Sequence, residues 1–153
     1  VSAVSVEALA RLSSAVLADC AFLLTEPAEA SHAPHTDAVV AVVDVYGEPA
    51  RSLTLSLPRS LAVVVAADML GVGPDDPESE AQADSAVAEL ANVLVGSLVE
   101  RFCEGEACDI GLPALLNREP SVSTSCDAHT ANLLTDSGDL VRVIWTVSPR
   151  VAS

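Results

Sequence analysis

Between Glu80 and Phe102 the apolar residues Val87, Leu90, Ala91, Leu94, Val95, Leu98 and Phe102 recur every three or four positions. That period predicts a long amphipathic helix with one continuous apolar stripe. The stripe demands a layer to bury it, and the rest of the chain supplies one. Asp37–Tyr46 is rich in Val, and Arg51–Leu57 alternates Leu53, Leu55 and Leu57 with Ser52, Thr54 and Ser56. With Gly47-Glu48-Pro49 between them, the two predict a hairpin with one face buried. Further strands are predicted over Cys108–Pro113, Pro120–Cys126, Ala128–Leu134 and Leu140–Val147, the last with Val141, Val143, Trp145 and Val147 on one face. Val6–Leu24 reads as a helix capped by Ser5. Pro58–Leu70 has strand propensity at Val63-Val64-Val65, but Pro58 at its start, Ser56 as a possible cap and Gly71 at its end punctuate a helix. The expected fold is therefore α+β: one domain over residues 1–153, a largely antiparallel sheet with the long helices packed on one face.

Charge narrows the partners. The chain carries 22 acidic and 7 basic residues, a net charge of −15, and all seven cations are arginines scattered singly. Nucleic acid needs a basic stripe to displace its counterions, and anionic membrane surfaces need clustered cations, so neither is expected as a partner. The mean hydropathy of +0.43 reflects abundant Ala and Val. The longest apolar run, Leu61–Ala67, falls far short of the ~20 residues a spanning helix requires. Val1–Cys20 carries Glu7, Arg11 and Asp19 and lacks the basic-then-apolar order of a signal peptide, so a cytoplasmic setting is expected.

Cys20, Cys103, Cys108 and Cys126 are expected as free thiols, because a chain with 50% hydrophobic residues can build its core without staples. Cys103 and Cys108 with Cys126 and His129 can be read as a zinc set, but the spacing is loose and the glycine-rich knuckle is missing. His32, His35 and Asp37 form a second weak metal pattern in a loop. No metal is expected at either. A Gly-x-Ser-x-Gly nucleophile turn and a glycine-rich phosphate loop are both absent from the sequence.

The long helix also has a polar face. At about 100° per residue, Ser85, Glu89, Asn92 and Gly96 fall within roughly 60° of one another, opposite the leucines. Exposed Glu and Asn on a helix are most often only a solvated face, but a mid-helix Asn is mildly costly and invites a further reason. Ser85-Ala-Val-Ala-Glu89-Leu-Ala-Asn92, followed by Gly96, resembles the Asp/Ser-x₃-Glu-x₂-Asn motif of the CheC/CheX/FliY family of response-regulator phosphatases. The resemblance extends to Tyr46-Gly47 at the hairpin turn, Leu53–Pro58, Met69-Leu70-Gly71 and Asp109–Pro113. The asparagines are Asn92, Asn117 and Asn132, so the first helix lacks the second motif copy of CheC-like members. One site per chain is similar to CheX.

The resemblance implies a phosphatase acting on the phospho-aspartate of a receiver domain. It also implies catalytic roles for Glu89 and Asn92, binding roles for Ser85 and Gly96, and a homodimer. Mg²⁺ and a lysine would come from the receiver, and this chain would bind no cofactor. A carboxamide at Asn92 can both accept from and donate to an attacking water, and a carboxylate at Glu89 can grip the lysine. The alternative is a non-catalytic docking module that binds a receiver through the same helix.

Overall fold

The computed structural model describes residues 4–28, 37–121 and 126–149. Its elements run α1 (Val6–Ala21), β1 (Thr25–Pro27), β2 (Ala38–Tyr46), β3 (Arg51–Pro58), α2 (Arg59–Leu70), α3 (Pro77–Ala81), α4 (Ala83–Phe102), β4 (Asp109–Ile110), β5 (Ala114–Leu116), β6 (Asp127–Thr135) and β7 (Leu140–Val147). The strands form one antiparallel sheet in the order β1-β6-β7-β3-β2-β4, with β5 also paired to β2. Alternate residues of the long strands point into one core: Val39, Ala41, Val43 and Val45 from β2, Leu53, Leu55 and Leu57 from β3, and Val141, Val143 and Trp145 from β7. The same core takes Leu9 and Leu17 of α1, Leu61 and Val65 of α2, and Leu90, Leu94 and Leu98 of α4, so the expected α+β fold with a helical layer on one sheet face is what forms.

Local chemistry sets the helix ends. Ser5 Oγ accepts from the Ala8 amide at 3.1 Å, which satisfies a donor that α1 leaves unpaired. The helix stops at Ala21, short of the expected Leu24, because Phe22 turns into the left-handed region at φ 57° and the Leu23 amide closes back onto Leu17 O. This frees Thr25–Pro27 to pair with Leu133–Thr135 of β6 as β1, a strand too short to show a period of its own. Gly71 ends α2 at φ 73°, as expected, but Ser56 does not cap it: Ser56 lies inside β3, and the cap position is Pro58, whose side chain makes no capping bond. The expected helix Glu80–Phe102 divides in two. Asp76 caps α3 by accepting from the Glu78 amide, and α4 starts afresh after Gln82.

Three strand expectations need correction. Of Cys108–Pro113 only Asp109–Ile110 pairs, the Gly111 amide making one more bond to Asp44 O. Ala114–Leu116 pairs with β2 instead, where no strand was expected. Pro120, Ser121 and Cys126 lie outside the strands, and residues 122–125 of that expectation fall outside the described residues. Finally, Thr54 and Ser56 are buried although they occupy the polar positions of β3. β3 is an inner strand, and its far face is covered in part: Arg142, beside Ser56 in register, forms an ion pair with Glu119 at 3.1 Å.

Candidate functional site

α4 packs against α1 and α2 on its flanks and against β2 and β3 beneath. Ala83, Ala86, Val87, Leu90, Ala91, Leu94, Val95, Leu98 and Phe102 are the buried residues of this helix. Ser85, Glu89 and Asn92 are exposed, and Gly96 is half-buried. The structure thus brings all four sequence-predicted site residues onto one outward face. Among the described residues, the side chains of Ser85, Glu89 and Asn92 have no hydrogen-bond or ion-pair partner. A Cβ built on Gly96 would meet nothing within 4 Å, so no internal contact of the fold requires glycine there.

The helix that carries this face is held at its start by a contact the sequence did not reveal. Arg59, the first residue of α2, reaches Asp84 on α4 at 3.3 Å and Asp37 at 3.6 Å. The pair lies one residue before Ser85. Both side chains are partly exposed, so the pair orients α2 against α4 more than it stabilises either.

At the other end of α4, Cys103, Glu106 and Cys108 lie together, their ligand atoms all within 4.8 Å of one another. Neither Cys126 nor His129 joins them: Cys126 precedes β6 and His129 pairs with Trp145 inside the sheet. The four-ligand zinc set read from the sequence is therefore not assembled. His32 and His35 lie outside the described residues, and Asp37 faces Arg59 instead. Buried Arg51 sits against the Cys103 group, ion-paired with Glu106 and donating from Nη1 to Cys108 Sγ at 3.7 Å. Burial pushes the Cys103 thiol up to about 11, with the Arg51 charge pulling the other way.

α4 is thus a core-anchored helix with an outward Ser/Glu/Asn face. The family model for the chemotaxis phosphatase CheX matches residues 39–133, well over half of the chain and including all of α4. The chain belongs to the CheX family. Solved structures share the CheX fold across nearly their full length. A chain of the CheX–CheY–BeF3–Mg²⁺ complex from Borrelia burgdorferi is 20% identical with a TM-score of 0.74, covering 94% of this chain and 97% of that one. A chemotaxis protein CheX from Desulfovibrio desulfuricans is 21% identical with a TM-score of 0.71, covering 93% and 97%. A CheC-like superfamily protein from Shewanella sp. PV-4 is 16% identical with a TM-score of 0.73, covering 94% and 97%. No curated protein matches the chain significantly. Among the described residues, no helix is long and apolar enough to cross a membrane.

Proposed function

We propose that this CheX-family chain hydrolyses the acyl phosphate of a phosphorylated response-regulator receiver domain docked on the outward face of α4. One observation carries the reading: Glu89 and Asn92 share that face, three residues apart on a helix whose opposite side is locked in the core, and neither side chain has a partner within the described residues. Polar groups fixed on a rigid element and left unpaired are suited to meeting a partner's groups without reorganisation.

The reaction asks little covalent chemistry of this chain. A water oxygen attacks phosphorus in line with the departing aspartate carboxylate, inorganic phosphate forms, and the carboxylate is regenerated. The Asn92 carboxamide accepts a hydrogen bond from that water and donates to the reacting group, which holds the water on the line of attack. The Glu89 carboxylate accepts from the receiver's lysine ammonium and fixes the docking register. Ser85 adds a contact one turn before Glu89, and Gly96 lets the receiver backbone approach one turn after Asn92. Mg²⁺ belongs to the receiver, where it neutralises charge on the phosphoryl oxygens. The Borrelia relative crystallised with CheY, BeF3 and Mg²⁺ supports a receiver as the partner. The family resemblance implies a homodimer, and the strand edges of the C-terminal half are one place where two copies could pair.

The test is phosphate release from phosphorylated receiver domains incubated with the purified chain. The proposal expects catalytic turnover with at least one receiver. Tight binding of a receiver with no acceleration of its own dephosphorylation would leave the docking module as the correct reading.

A further inference from the structure

The cluster at the end of α4 has no part in the receiver-facing site, and its chemistry is that of a thiol pair. Cys103 is the last-turn cap of α4 and is buried; Cys108 opens the segment into β4 and is partly exposed. Their sulfur atoms lie within 4.8 Å of each other. The intervening turn holds Gly105 at φ 80° and closes with the Glu106 amide on Cys103 O at 3.0 Å. The β2–β3 turn roofs the pair, for a Cβ on Gly47 would lie 3.6 Å from Cys108 Sγ. A metal ion would find two sulfurs and a carboxylate here, but the place of a cation is already taken. Arg51 is buried against the group, paired with Glu106 and bonded to Cys108, so a metal would face a fixed positive charge.

We propose that Cys103 and Cys108 are a redox-active dithiol that closes an intramolecular disulfide by exchange with a small disulfide such as oxidised glutathione. Cys108, the less buried residue of the two, attacks first: its thiolate forms a mixed disulfide and releases one glutathione thiolate. Cys103 then attacks Cys108 Sγ, forms the internal S–S bond and expels the second glutathione thiolate. The two cysteines are oxidised, the one small disulfide is reduced to two thiols, and the two protons go to solvent or to the released thiolates. Closure needs the sulfurs to approach from within 4.8 Å to about 2 Å, a movement the short turn at Gly105 can supply. The charged groups facing the pair are Arg51 and Glu106. Burial raises the proton affinity of Cys103, so the internal attack should quicken as the pH rises toward about 11.

The experiment uses the intact chain, reduced, freed of metal with a chelator, incubated with oxidised glutathione and quenched with an alkylating agent. Cleavage after Arg101 and Arg118 gives one fragment, residues 102–118, that contains both cysteines. The proposal expects that fragment to lose two hydrogens and take up no alkyl group. It expects Cys103→Ser to retain glutathione on Cys108. A wild-type fragment with both thiols alkylated, or with glutathione held on Cys108 beside a free Cys103, would overturn it. So would one zinc per chain retained by the reduced protein after dialysis against zinc. The wild-type mapping stands even if the variant fails to fold.

Discussion

Asn92 is exposed and Leu94, two residues further along α4, is completely buried. About 200° of helix separates them, so the same element presents the proposed chemistry outward and anchors itself inward. Stability and activity should therefore come apart under mutation. Leu94→Ala removes a fully buried side chain and leaves a cavity between α4 and the sheet. It should lower the unfolding free energy by about 2–5 kcal/mol, read by denaturant titration. Asn92→Ala should stay within about 0.5 kcal/mol of wild type in the same titration.

Gly96 offers a sharper separation. It sits in the interior of α4 with open space where a Cβ would stand. Gly96→Ala should raise stability by up to about 1 kcal/mol, since alanine loses less backbone entropy in a helix. If the receiver approaches this face closely, the added methyl should weaken binding severalfold. Calorimetric melting and a receiver-binding isotherm on the same preparation read the two effects. A stabilised variant with unchanged receiver binding would remove Gly96 from the docking surface.

Alkaline conditions should probe the thiol pair. Burial raises the Cys103 thiol from about 9 to about 11, so the folded protein holds this proton more tightly than the unfolded chain does. The resulting stabilisation is fully present below about pH 9 and is lost as the pH climbs through about 11. Denaturant midpoints measured across that range should fall more steeply for wild type than for Cys103→Ala.

Glu89→Ala removes a charge-assisted contact to the receiver while leaving the core untouched. Receiver binding should weaken roughly tenfold, an exposed charge pair being partly screened, and the loss should shrink in high salt. Dephosphorylation by this variant should suffer at low enzyme concentration and recover as concentration rises.

Local pattern was enough to read most of this fold. The period of Val87 to Phe102 put Ser85, Glu89, Asn92 and Gly96 on one exposed face, and the alternation of Leu53, Leu55 and Leu57 oriented the hairpin. What stayed hidden depends on distant partners. β1 exists because Thr25 finds Thr135, and β5 because Leu115 finds Ala41. Thr54 and Ser56 are buried because β3 lies inside the sheet, which their own polarity argued against. The spacing of Cys103 and Cys108 hinted at a joint role, but Glu106 and Arg51 beside them came from folding, while Cys126 and His129, the rest of the weak zinc pattern, lie apart from them.

The central claim is that Asn92 orients the water that attacks the acyl phosphate. It is tested most directly by the single-turnover rate of phosphate loss from a phosphorylated partner receiver saturated with Asn92→Ala. Binding is measured in parallel to confirm saturation. The account predicts that the variant still binds and that the rate falls to the receiver's own spontaneous value. A wild-type rate from saturated Asn92→Ala would contradict it.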